Sequence, residues 1–210
     1  MITEKKLILA ARVISSIVSP LHLPMLGMIV LFMFTYLSML DTWIKLQVLL
    51  IVYVFTVMLP TRLIRYYRNY HGWTLIQTGT KERRMMQYVI GIVCYFACYY
   101  IINLMHMPHF IGTIIMAALV LQVACALVNM RWKVSAHSAA IGGVIGAVTA
   151  FSFLFSFDPT WWLFVLFFMS GLVGTSRVIL RQHTLSEVTI GFVMGIVLAF
   201  ISVVFYRNIV

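Results

Sequence analysis

Long apolar runs separated by short polar interruptions dominate the chain. They fall at residues 22–40, 44–63, 88–106, 109–130, 137–157, 160–180 and 186–206. Each is close to the roughly 20 residues that a helix needs to cross the hydrocarbon of a bilayer. The pattern predicts seven transmembrane helices, the last six forming a core. Between the runs stand residues that end helices: Asp41, the His106-Met107-Pro108-His109 corner and Asp158-Pro159. Ahead of the first run, residues 5–18 are apolar but broken by Lys6, Arg12 and Ser15-Ser16, which suits a helix lying at the membrane interface. Pro20 and Pro24 then bracket a break, because proline is excluded from helix interiors. Two Gly-x3-Gly spacings, Gly142/Gly146 and Gly191/Gly195, put small residues on one helix face and permit close helix contact in lipid.

Composition fixes the solvent. Hydrophobic residues make up 63% of the chain and charged residues 10%, against about 45–50% and about 25% in soluble domains. One water-soluble core of this length cannot bury so much apolar surface. The expected fold is all-α, a polytopic transmembrane helix bundle in a single integral membrane domain. An interfacial segment, residues 1–20, precedes a bundle over residues 21–210. The net charge of +10 gathers in short connections between apolar runs, so anionic head groups or phosphate are the expected partners, not nucleic acid. Cys94, Cys98 and Cys125 lie inside apolar runs and read as small packing residues. No cleavable signal peptide is expected.

Counting spans groups the charges. The basic segments Arg62–Arg84, Arg131–His137 and Ser176–Glu187 are each separated from the next by two crossings, so all three are expected on one side of the membrane. Polar residues with chemical potential stand at the helix mouths there. His183 and Glu187 are four apart, a spacing that puts them on one helix face. A carboxylate beside an imidazole fixes the tautomer and leaves the other ring nitrogen free as a nucleophile. Arg177 carries a planar fork suited to phosphate oxygens. His137, in Ser135-Ala136-His137-Ser138, starts another helix on the same side and could protonate a departing oxygen. The competing reading is an interfacial cluster, with a snorkelling arginine, a headgroup-level histidine and a glutamate paired with either. His22, His71, His106 and His109 read as headgroup-level or capping residues, His71 sharing the basic side.

Ser176-Arg177-x5-His183-x3-Glu187 resembles S-R-x5-H-x3-D, the most diagnostic motif of the type 2 phosphatidic acid phosphatase superfamily, with Glu for Asp. Ser135-Ala136-His137 is similar to that family's P-S-G-H motif, with Val134 for Pro and Ala136 for Gly. Lys81-Glu82-Arg83-Arg84 resembles a compressed form of the first motif, K-x6-R-P; Gln77 stands where its lysine would be. The likeness spans roughly residues 75 to 206. It implies that His183 attacks phosphorus to give a phosphohistidine, that Glu187 orients it, and that His137 is the general acid. Arg177, Lys81, Arg84, Ser135 and Ala136 would hold the phosphoryl oxygens, with neither metal nor cofactor. The implied activity is hydrolysis of a lipid phosphate monoester or pyrophosphate of polyprenyl, phosphatidylglycerophosphate, phosphatidic acid or lipid A type. A phosphotransferase using the same site, or a member that binds or moves phospholipid without turnover, fits the same residues. The resemblance implies a bacterial inner membrane with the site on its periplasmic side. Lys5, Lys6, Arg12, Arg62, Arg65 and Arg68 argue instead for a cytoplasmic site.

Overall fold

The computed structural model describes residues 2–34, 39–70, 81–105, 107 and 109–207. His71, Gln77, His106 and Pro108 lie outside these described residues, as do residues 35–38 of the first apolar run. Among the described residues the chain is helical with no strand. The helices are α1 (Ile2–Ile17), α2 (Leu23–Phe34), α3 (Thr42–Tyr70), α4 (Lys81–Leu104), α5 (His109–Arg131), α6 (Ala136–Phe155), α7 (Thr160–Ile179) and α8 (Leu185–Arg207). Six of them are long and apolar enough to cross a membrane, over Thr42–Tyr70, Glu82–Leu104, Phe110–Arg131, Ala136–Phe155, Thr160–Ile179 and Leu185–Phe205. The fold is thus an all-α, polytopic membrane architecture with the six-span core that the apolar runs predict. The seventh expected span is described only as α2. Its 12 residues extend about 18 Å at about 1.5 Å per residue, short of the bilayer core.

The predicted punctuation has local causes. Asp41 caps α3 by accepting from the Trp43 N–H at 3.4 Å. Asp158 receives both the backbone N–H of Thr160, at 3.0 Å, and its hydroxyl. Inside α3, residues Val54–Met58 widen into a π turn just ahead of Pro60. The proline has no N–H to donate to Thr56 and its ring crowds that carbonyl, so the wider turn absorbs the misfit. The three cysteines are free and buried.

The chain divides into two compact units, residues 1–23 with 133–210, and residues 24–132. In the second unit, α3, α4 and α5 pack together, and Asn129 joins α5 to α4 through the Tyr88 hydroxyl at 3.1 Å.

In the first unit, α6 and α8 are the most closely packed pair, α7 packs on α6, and α1 packs on α7. The α6–α8 contact is backbone on backbone. A Cβ at Gly142 or Gly146 would collide with the carbonyls of Phe192 or Ile196, and one at Gly195 with that of Ala139. Gly191 faces the Ser135 carbonyl, 2.8 Å from where its Cβ would stand. Both Gly-x3-Gly spacings are therefore used against each other. Partner numbers rise together along the two helices, so α6 and α8 run in the same direction, and their N-termini meet. Around α1, the stripe Ala11, Ile14, Ser15 and Val18 turns inward, with the i, i+3, i+4, i+7 spacing of one helix face. Val18 joins Leu23, Ile141 and Val173 in a buried cluster ringed by Ile14, Val144, Met169 and Phe192.

A larger side chain at this crossing has nowhere to go. Gly195→Val should destabilise the protein by about 1–3 kcal/mol, read as a lower midpoint of thermal unfolding in detergent. Gly27→Ala, whose new methyl meets nothing within 4 Å, should leave the midpoint unchanged or raise it.

Candidate active site

Helix α6 opens on Ser135, which is fully buried and extended, with φ −79° and ψ 104°. Its Oγ accepts from the Ser138 N–H at 3.4 Å and from the Ser138 hydroxyl at 3.0 Å. Both bonds use its lone pairs and leave its own O–H free to donate outward. The next two residues, Ala136 and His137, bring the first N–H groups of the helix, which have no intrahelical acceptor. Among the described residues only Ser156 and Arg181 are non-glycine residues with positive φ. Ala136 therefore occupies its place without the backbone freedom of glycine.

Helix α7 delivers Arg177 in its last turn and ends in a tight reversal. The Gln182 N–H returns to the Arg177 carbonyl at 3.1 Å and the Arg181 N–H to that of Val178 at 2.9 Å. Arg181, with φ 52°, takes the left-handed position usually given to glycine at such an end. The reversal carries the chain into α8 within a few residues. Thr184 caps α8, its hydroxyl accepting from the Glu187 N–H at 3.4 Å.

This local structure changes the expected relation between His183 and Glu187. His183 is not on the helix; it precedes the cap, and Glu187 is in the first turn. The glutamate carboxylate reaches back out of the helix, and its Oε2 lies 2.7 Å from His183 Nδ1. The extra methylene of Glu relative to Asp is taken up in that backward reach. Both side chains are largely enclosed, 8% and 13% exposed. Burial holds the imidazole below the ordinary histidine value; the Glu187 hydrogen bond opposes that shift, while Arg177 and Lys133 add to it. Nδ1 is engaged, so Nε2 is the nitrogen left for chemistry.

Three contacts draw the helix ends together. The Ser135 N–H donates to the Glu187 carbonyl at 3.3 Å. Lys133 Nζ donates to the Gln182 carbonyl at 2.5 Å. Arg177 Nη1 donates to Ser15 Oγ on α1 at 2.7 Å, and the Ser15 backbone also accepts from the His137 ring. His137 lies near enough to Arg177 and His183 for their charges to act on it. The structure thus brings His183, Glu187, His137, Arg177, Ser135 and Ala136 together. The other two expected phosphate contacts, Lys81 and Arg84, belong to the first turn of α4 in the second unit, and the cluster of the first unit forms without them.

Two residues at the site escaped sequence reasoning. Ser15 had a usable signal, as the one polar side chain on the buried stripe of α1. Lys133 had none beyond its nearness to His137. Ser176, although part of the diagnostic spacing, turns its hydroxyl to the Val173 carbonyl at 2.7 Å and serves its own helix.

The family model of the PAP2 superfamily matches residues 122–210. This part of the chain belongs to the PAP2 superfamily, the type 2 phosphatidic acid phosphatases. The match holds every residue of the cluster except Ser15, and begins later than the resemblance around Lys81 and Arg84. No curated protein and no solved structure matches the chain. PAP2 superfamily members are phosphatases, so hydrolysis of a phosphate ester is the general activity of this cluster.

A nucleophile must be neutral, and a lowered pKa keeps His183 neutral further into acid. The acid limb of kcat/KM, corrected for substrate ionisation, should therefore fall below the ordinary histidine value of about 6.5. Glu187→Gln removes an influence that raises this pKa. It should move the limb to still lower pH while reducing the rate.

Proposed function

We propose that the protein is a membrane lipid phosphatase acting through a covalent phosphohistidine. The observation that carries this reading is the meeting of two histidines and Arg177 at the adjoining N-termini of α6 and α8. Helix N-termini attract anions through their free N–H groups and the positive end of the helix dipole. Here two such ends stand side by side, with the Arg177 guanidinium between them and α1.

The chemistry follows from the contacts. A phosphoryl group lies against the Ala136 and His137 N–H groups, the Ser135 hydroxyl and Arg177. His183 Nε2 attacks phosphorus, and the Nε2–P bond forms as the bond to the lipid oxygen breaks. Glu187, on Nδ1, holds the ring and stabilises the charge that it gains. His137 gives a proton to the departing oxygen and afterwards takes one from the water that releases inorganic phosphate. The Ser15 carbonyl orients the His137 ring. Lys81 and Arg84 as further phosphate contacts rest on the sequence resemblance alone.

A lipid substrate is favoured by a second feature of the first unit. A mainly apolar groove of about 460 Å³ runs between α7 and α8, lined by Gly171, Gly174, Val178, Leu185, Val188 and Phe192, with Ser138 at its edge. Ser138 bonds Ser135, so the groove adjoins the site. Gly171 has nothing within 4 Å of its Cβ position, which leaves the groove open there to an alkyl chain.

Two experiments separate these roles. His183→Ala should abolish phosphate release, and His137→Ala should slow it by about 10²–10⁴-fold with a lipid alkoxide leaving group. The loss from His137→Ala should be much smaller with p-nitrophenyl phosphate, whose leaving group needs no proton. Equal losses on both substrates would remove the general-acid role. Gly171→Leu should lower kcat/KM for a long-chain lipid phosphate relative to p-nitrophenyl phosphate by about tenfold, the worth of roughly two displaced methylenes. An unchanged ratio would show that the groove does not hold the tail.

A further inference from the structure

Beside the site, the first unit encloses a second cavity, of about 830 Å³, between α1 and the last turn of α7. Its polar lining is Arg12, Ser15, Ser16, Arg177, Arg181 and Gln182. Three guanidinium groups from two helices converge there, and no carboxylate lines it. His183–Glu187 is the single ion pair recorded among the described residues, so neither Arg12 nor Arg181 is neutralised by a side chain of the fold. Arg177 stands in the wall common to this cavity and the phosphoryl site. Its Nη1 is taken by Ser15, while its Nε is buried without a hydrogen-bond partner. Arg181 adds an independent sign. It holds positive φ at a helix end where glycine would avoid the steric cost, so its side chain is kept against the local preference of the backbone.

Resting on the phosphatase reading, we propose that this cavity is a second phosphate subsite, which makes the substrate a lipid diphosphate. The terminal phosphoryl group lies at His183, and the phosphate attached to the lipid lies toward Arg12 and Arg181, with Arg177 shared between them. When His183 Nε2 bonds to the terminal phosphorus, the bridging P–O bond breaks and its electron pair stays on the departing lipid monophosphate. Arg12 and Arg181 meet the negative charge that develops there. Planar guanidinium forks match phosphate oxygens in pairs, and a leaving phosphate so held needs less help from His137 than an alkoxide does. Arg12, Ser15 and Ser16 lie outside the segment that matches the superfamily, so this specificity is written in α1.

The test compares farnesyl diphosphate with farnesyl monophosphate, the full chain being held in nanodiscs. Binding is measured on the His183→Ala protein, so that turnover does not interfere, and phosphate release on the otherwise unaltered one. Arg12→Gln and Arg181→Gln should each lower the preference for diphosphate over monophosphate by about tenfold in Kd, the scale of one lost charge-assisted contact. Arg181→Gly should do the same while raising the unfolding midpoint, since it also relieves the positive φ; a merely structural arginine would not move the two readings in opposite directions. A preference untouched by all three variants overturns the subsite. So does monophosphate that binds as tightly as diphosphate once free phosphate is added, because the cavity would then take any phosphate. If the binding preference falls as expected but neither lipid releases phosphate from the unaltered protein, the phosphatase reading fails and the subsite stands.

Discussion

Everything at the site depends on how closely α6 and α8 approach. Ordinary side chains would hold two helices 8–10 Å apart, but four glycines let these two backbones touch. In lipid there is no hydrophobic gain from burying apolar side chains against each other, so such contact rests on van der Waals packing that small residues alone permit. Because the helices are parallel, the closeness brings two N-termini into one place. The Ser135–Glu187 backbone bond follows from that approach, and with it the positions of His137 and His183. The glycines near mid-helix are thus as much part of the catalytic geometry as the histidines, although they touch no substrate.

The electrostatics follow from the same arrangement. Arg177, Lys133 and two helix N-termini face a space from which water is largely displaced, where charges act strongly on each other. The one carboxylate present, Glu187, is committed to His183 at 2.7 Å. Its loop-to-helix reach makes the pair a directed device, in which one ring nitrogen is tied and the other aimed. A site so built is short of negative charge, and that deficit is what a phosphoryl group supplies. Helix α1 completes the arrangement from the far end of the sequence. Ser15 holds Arg177 through its hydroxyl and His137 through its backbone.

Much of this was legible in the sequence, and the reasons are physical. Apolar runs report spans because lipid admits only helices whose backbone groups are satisfied internally. Polar residues inside those runs are costly and so mark function, which is why His137, Arg177, His183 and Glu187 stood out. The packing of Gly142, Gly146, Gly191 and Gly195 was also readable from spacing. The placement of His183 was not: a four-residue interval suggests a shared helix face, but the cap at Thr184 starts α8 one residue too late. Nor was the role of Ser15, because its partners are more than a hundred residues away and only the docking of α1 on α7 brings them near. An interfacial reading of α1 described its composition and overlooked its inward stripe.

The central claim is that His183 attacks phosphorus through a nitrogen chosen by Glu187. Enzyme mixed with a lipid phosphate, quenched during turnover and analysed by phosphorus NMR and mass spectrometry of its peptides, reads this directly. The account predicts phosphate on His183 as the Nε2-linked isomer. Phosphate on Nδ1, or on any residue other than His183, would contradict it.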